Sequence, residues 1–229
     1  MLKRYAAGGA LLAIVSGAIA TSTGHGALSH IALGVLFAGL ALPLAIRQRS
    51  RLAWTALTLV AVEACLVAPA LILIHAIVAQ LIFAVTVALA APIGSYPPEA
   101  ASIRRFALAI PPLVLVQTSL GALYRHKATG VLPHMAGAMI VVLLTLLVCV
   151  ILLQRVNRPG PLRSAAIALV SIILAQITLG IAAFLMRLLD SDQSPAFAWV
   201  AVAHVTTGAL TLGASVILAM QFWYHRQSV

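Results

Sequence analysis

The stretch His134–Leu153, HMAGAMIVVLLTLLVCVILL, is an uninterrupted apolar run of 20 residues without Asp, Glu, Lys or Arg. A helix of about 20 residues is roughly 30 Å long, which matches the hydrocarbon core of a bilayer. The run does not alternate between polar and apolar residues, as a strand of a membrane barrel would. Because every backbone group in lipid needs an internal hydrogen-bond partner, this stretch predicts a transmembrane helix.

Seven further apolar runs flank this one, and polar residues are too scarce for a soluble protein. Of the 229 residues, 63% are hydrophobic and 8% are charged, whereas about 25% are charged in an average soluble domain. Cys65 and Cys149 both fall inside apolar runs, so they do not indicate a disulfide framework. The sequence predicts an all-α membrane protein with eight transmembrane helices. The predicted spans are Tyr5–Thr21, His30–Ile46, Leu52–Ala68, Ile74–Ala91, Phe106–Tyr124, His134–Leu153, Ala165–Met186 and Trp199–Trp223.

The net charge of +10 comes from short basic clusters between the apolar runs. This pattern is typical of membrane orientation signals, so we interpret the partner as the lipid bilayer and exclude nucleic acid. With eight spans, eleven of the 14 Lys and Arg residues fall on one side. Both termini are therefore predicted to be cytoplasmic, in a multi-pass protein of the inner (plasma) membrane. The eleven cations are Lys3, Arg4, Arg47, Arg49, Arg51, Arg104, Arg105, Arg155, Arg158, Arg163 and Arg226.

An internal repeat divides the chain into two halves. Gly17–His30 aligns without a gap to Gly121–His134 at an offset of 104 residues, and His75–Ala90 matches His204–Ala219 at an offset of 129. Both halves begin on the same predicted side, which makes the repeat parallel. The predicted organisation is an N-terminal four-helix half (residues 1–91), a cytoplasmic linker containing Gly94 and Ser95 (residues 92–105) and a C-terminal four-helix half (residues 106–229).

Four of the seven histidines occupy one position in this repeat, near the outer start of each even-numbered span: His30, His75, His134 and His204. Ionisable residues at membrane depth are costly and are candidates for function. Two facing imidazoles in a helical bundle can serve as axial ligands of haem iron. Each of the four is followed one turn later by a small residue, which would leave room for a porphyrin; these residues are Gly34, Ala79, Ala138 and Gly208. The alternative is that the four are interfacial histidines, as we interpret His25, His126 and His225.

Glu63 is the only acidic residue inside a predicted span, and we place it near the middle of the third helix. Two interpretations are open: a catalytic acid that relays protons beside a haem pocket, or a structural hydrogen bond between helices. Gln117 and Gln176 lie at comparable places in the fifth and seventh spans, which favours a shared polar packing position.

Three cations depart from the charge asymmetry and flank the outer face of the second half. They are Arg125, Lys127 and Arg187. Cations there could pair with the propionates of a haem, and Arg125 is the candidate we single out. The alternative is that short outer loops tolerate some cations.

Three segments of the second half resemble the haem A synthase and cytochrome oxidase assembly family. Gln117–His126, QTSLGALYRH, followed by His134, is similar to the QxxLGxxxRH signature of that family. Gln176–Ile181, QITLGI, and Ala203–Leu210, AHVTTGAL, look like its last two spans. The resemblance covers nearly the whole chain and is strongest from residue 110 to residue 220.

The resemblance implies eight spans in two four-helix bundles, with haem iron held by His30 and His75 and by His134 and His204. It implies haem b as cofactor and oxidation of the haem O methyl group to the formyl group of haem A for cytochrome oxidase assembly. Candidate protein partners are haem O synthase and cytochrome oxidase subunits. Many relatives have a glutamate three residues before the first ligand, where this chain has Ala27. Two alternatives therefore stay open: a non-catalytic haem-binding assembly factor, and a bis-histidine electron-transfer cytochrome that works with quinol.

Overall fold

A computed structural model describes residues 1–92, 96–189 and 191–223, and within these ranges the chain forms helices and no strands. The all-α fold class is confirmed. Gly94, Ser95, His225 and Arg226 lie outside the described residues. The helices are α1 Leu2–Thr23, α2 Ala27–Gln48, α3 Arg51–Cys65, α4 Ile72–Ala90, α5 Arg104–Arg125, α6 Leu132–Arg155, α7 Pro161–Leu188 and α8 Pro195–Trp223, with 3₁₀ helices at Pro69–Leu71 and Pro98–Ile103.

Seven of the described helices are long and apolar enough to cross a membrane, and α3 is the exception. It has 15 residues, so it is about 22 Å long against a hydrocarbon thickness of about 30 Å. Ser50 caps its start by accepting a hydrogen bond from the backbone N–H of Ala53 at 3.3 Å. Its end follows from Pro69, because the residue before a proline is disfavoured in the helical region, and Ala68 is extended with ψ 138°.

The surface of α6 shows why these helices belong in lipid. Its outward stripe consists of large apolar residues at helical spacing: Ile140, Leu143, Leu147 and Val150, which are 60%, 66%, 58% and 47% exposed. A stripe of this kind in water would promote aggregation, whereas lipid tails solvate it. The opposite face is buried and includes Val148 and Leu152. The protein is therefore a multi-pass membrane protein.

The first compact unit comprises Met1–Ala90 together with Leu174–Leu210. In it, α1 contacts α2, α2 contacts α3, α3 contacts α4, and α4 returns to α1, which closes a four-helix ring. The α1–α2 connection is tight because Gly24 and Gly26 adopt positive φ angles of 72° and 91°. This turn brings the last part of α1 beside the first turn of α2.

The second compact unit comprises residues 91–173 together with α8 from Thr211 onward. Here α5 contacts α6, and both contact the 3₁₀ helix Pro98–Ile103. Arg163 caps the end of α6 by donating to the carbonyl oxygens of Leu153 and Val156 at 3.0 and 2.8 Å. Each of α7 and α8 is split between the two compact units. The division into two repeat halves stays a prediction from the sequence.

The orientation predicted from the basic clusters can be tested with single cysteines in a variant that lacks Cys65 and Cys149. A cysteine replacing Gln193, beside Asp192, should react with a membrane-impermeant maleimide from the outside. A cysteine replacing Arg158 should react only after permeabilisation, because eleven of 14 cations share its predicted side. Labelling at 193 that requires permeabilisation would contradict the eight-span orientation.

Candidate functional site

His30 lies in the first turn of α2 and contacts the last part of α1. The hydroxyl of Ser16 donates to the carbonyl oxygen of Ala13 at 2.9 Å, and its oxygen lies 3.1 Å from Nδ1 of His30. With the hydroxyl hydrogen directed to Ala13, the imidazole donates from Nδ1, and Nε2 of a neutral His30 carries the lone pair that a metal requires. With that hydrogen directed to His30, Nδ1 accepts and Nε2 carries the proton.

His75 lies in the first turn of α4, and Glu63 of α3 is its partner. Oε1 of Glu63 is 3.2 Å from Nδ1 of His75, at ion-pair distance but without hydrogen-bond alignment. The sequence suggested that Glu63 lies near the middle of its helix, and this prediction is wrong. Glu63 lies in the last turn, because α3 ends at Cys65 rather than continuing to Ala68. The short helix therefore places the carboxylate at the level of the His75 ring.

The His30 and His75 rings contact each other, with centroids 5.8 Å apart and planes at 85°. With about 2 Å from a metal to each ring nitrogen, two imidazoles on opposite sides of one metal have centres roughly 6 Å apart. The separation therefore suits a pair of axial ligands. Because the rings meet edge to face, a group bound between them requires one ring to turn.

An unsatisfied polar atom lies beside this pair. Oε2 of Glu63 is buried and has no hydrogen-bond partner among the described residues. Buried polar atoms are nearly always paired, and exceptions mark functional sites or absent groups. The ring of α1 to α4, called the first bundle below, thus combines two imidazoles, a carboxylate and a carboxylate oxygen without a hydrogen-bond partner among the described residues.

His134 lies in the first turn of α6 and is held by Gln117 of α5. The amide nitrogen of Gln117 lies 2.9 Å from Nδ1 of His134 and donates to its carbonyl oxygen at 2.8 Å. In this amide orientation Nδ1 accepts, which leaves the proton on Nε2. Metal ligation through Nε2 requires the amide to turn so that its oxygen accepts from Nδ1. The polar packing position predicted for Gln117 is thus a contact with the histidine itself.

His204 has a comparable partner but a different place in its helix. The amide nitrogen of Gln176 lies 3.4 Å from Nε2 of His204, and the Gln176 amide oxygen accepts from the hydroxyl of Thr207. His204 is the tenth residue of α8, because Pro195 starts the helix and Ser194 caps it by accepting from the N–H of Phe197 at 3.1 Å. The first turn of α8 was missed by the sequence interpretation, which started the span at Trp199.

The outer cations have separate surroundings. Arg125 is the last residue of α5 and is partly buried, while Lys127 is exposed in the following loop. Nε of Arg187 lies 3.5 Å from Oδ2 of Asp192, so this cation has a carboxylate partner within the protein. Burial lowers the pKa of His126, and the adjacent Arg125 charge lowers it further. The pairing of Arg125 with a propionate stays a prediction.

Within the described ranges, no group of three or more His, Cys, Asp or Glu side chains is arranged to hold a metal ion. A haem supplies most ligands of its own iron, so two imidazoles suffice for it. Sequence reasoning missed Ser16 and the glycines that contact the rings. Their signal was present, because Gly17 and Gly121 both precede a histidine by 13 residues within the repeat.

The fold and the site together define an all-helical, multi-pass membrane protein. Three of its histidines lie in the first turn of a helix and His204 lies further along α8, and each is beside a polar residue of an earlier helix. No protein-family model, curated protein or solved structure matches the chain.

Proposed function

We propose that the chain is a haem-binding membrane oxidoreductase of the haem A synthase type. The observation that carries the proposal is the His30–His75 pair, with its ring centroids 5.8 Å apart. Ser16 and Glu63 face Nδ1 of the two rings, which favours ligation through Nε2 in each. His134 and His204 stay candidate ligands of a second haem, as the resemblance to the haem A synthase family implies.

Ser16, Glu63 and Arg125 each have a role in this proposal. Ser16 would hold the Nδ1 side of His30, and Glu63 would orient His75 and supply a carboxylate beside the rings. A bound haem supplies a redox-active iron that the amino acids themselves lack. Arg125, at the end of α5, would pair with a propionate of a haem held at His134.

The proposed reaction is oxidation of the methyl group of haem O to the formyl group of haem A. With water as the oxygen source, this conversion releases four protons and four electrons, so it needs a proton acceptor and an external electron acceptor. Glu63 is the candidate proton acceptor, since Ala27 occupies the position where many similar proteins have an acid. The setting would be the inner (plasma) membrane, with haem O synthase or cytochrome oxidase subunits as protein partners.

Ala27 also favours a second candidate function. A chain with four histidines but without that acid could bind haem without oxidising it, as an assembly factor or a quinol-linked electron-transfer cytochrome. The two functions share the binding site and differ in the product. Product analysis therefore separates them, whereas a haem spectrum alone does not.

The proposal is tested by expressing the unmodified protein in a host that makes haem O but lacks its own synthase. We expect the purified protein to show a low-spin haem spectrum, because His30 and His75 would both ligate the iron. We expect extracted haems to include haem A by chromatography. Bound haem without haem A would support the binding or electron-transfer function, and a protein without haem would refute both.

A further inference from the structure

Three histidine rings pack against a glycine of the preceding helix, and the distance from a Cβ built on that glycine to the ring is the same in all three. A Cβ at Gly17 would lie 3.0 Å from Cε1 of His30. A Cβ at Gly121 would lie 3.0 Å from Cε1 of His134, and a Cβ at Gly180 would lie 3.0 Å from Cε1 of His204. Real Cβ atoms are rarely this close to a neighbour, so the imidazoles occupy space that only glycine leaves open.

These contacts act together with the polar partners. Ser16 is adjacent to Gly17, and Gln117 and Gln176 each precede their glycine by four residues, one helical turn away. In each case the ring touches the glycine through Cε1 and the polar group through a ring nitrogen. Two contacts from one helix therefore fix both the position and the rotation of the ring.

We propose that Gly17, Gly121 and Gly180 are positioning residues that set where the imidazoles of His30, His134 and His204 present their nitrogens to haem. The identity of the ligand, haem, rests on the proposed function, whereas the position of the rings rests on the glycine contacts alone. His75 is the exception, because its partner Glu63 is followed four residues later by Val67, beyond the end of α3. A carboxylate, without a glycine, holds that ring.

Gly34, one turn after His30, behaves differently. A Cβ at Gly34 would meet nothing within 4 Å. The space that the His30 ring requires therefore comes from Gly17 of the preceding helix, and not from Gly34 of its own helix. The 13-residue spacing that Gly17–His30 shares with Gly121–His134 therefore reflects the pairing of two consecutive helices around the ring.

The test compares alanine variants at the three glycines with matched controls. Gly17→Ala, Gly121→Ala and Gly180→Ala would place a Cβ 3.0 Å from Cε1, so each ring has to withdraw to ordinary contact at 3.4–4 Å. That displacement uses up most or all of the roughly 0.5 Å within which functional groups must be held. We expect each variant to bind haem b at least about 10-fold more weakly and to convert part of the low-spin spectrum to high spin. Alanine favours helices more than glycine does, so the helices themselves should remain intact.

Two controls separate positioning from packing. Gly8→Ala and Gly39→Ala add a methyl group where nothing lies within 4 Å, and they should leave haem binding unchanged. Gly9→Ala places its Cβ 3.3 Å from Cδ2 of Phe37, so it disturbs α1–α2 packing without touching a histidine. It should change thermal stability and leave the haem spectrum low spin.

A haem-free measurement keeps the inference distinct from the proposed function. In protein labelled with ¹³C-histidine, the Cε1 resonance of His30 should shift in Gly17→Ala and stay in place in Gly8→Ala. If this shift is observed but the unmodified protein binds no haem, the positioning role stands and the haem proposal is refuted. Unchanged Cε1 resonances together with unchanged haem affinity in all three variants would overturn the inference.

Discussion

Replacement of His75 by alanine is expected to abolish haem binding by the first bundle, with an affinity loss of more than about 100-fold. Loss of a residue that only orients a metal ligand already costs about 10- to 100-fold. If His75 is a ligand, its removal would leave the iron with one imidazole, from His30, whereas a low-spin iron needs two. Haem titration of the purified protein, followed by absorption and electron paramagnetic resonance spectra, measures the effect.

The controls for this variant test ligation rather than folding. His75→Gly supplemented with free imidazole should regain the low-spin spectrum, because the added ring can enter the space of the lost one. His25→Ala should behave like the unmodified protein, since His25 is exposed in the α1–α2 connection. A low-spin spectrum of normal intensity in His75→Ala would refute this ligand assignment.

Glu63→Gln is expected to lower haem A output about 100-fold while haem b content remains normal. The amide keeps the shape of the side chain and its contact with His75. In the unmodified protein, Oε1 of Glu63 lies 3.2 Å from Nδ1 of His75. The amide cannot accept a proton, and a positioned acid or base typically contributes about 10²- to 10⁴-fold to a reaction. Chromatography of haems from the synthase-deficient host gives the ratio of haem A to haem O.

Glu63→Asp is the matched control, because it keeps the charge on a shorter stem and should retain more output than the amide. Haem A formed equally well by Glu63→Gln would exclude Glu63 as the acid and leave it as an orienting partner of His75. Loss of haem b together with haem A would instead indicate that Glu63 is needed to hold the ring.

The helical class and most helix positions could be predicted from the sequence, because apolar length alone decides them in lipid. The run from His134 to Leu153 lies wholly inside α6. The third helix could not be predicted correctly, since Val67 and Ala68 continue its apolar run although Pro69 ends the helix before them. A hydropathy pattern reports solubility in lipid, whereas the end of a helix depends on backbone sterics.

The histidines and Glu63 could likewise be singled out from the sequence, because charged and titratable groups are rare in these spans. Their partners could not. The contact of Glu63 with His75 depends on α3 ending near the start of α4, and the contacts of Ser16 and Gly17 with His30 depend on how closely α1 approaches α2. The sequence alone determined which helices form and which polar residues they carry, because lipid imposes those choices segment by segment. Only the tertiary structure decided which side chains meet, because helix spacing is set by close packing between segments that are distant along the chain.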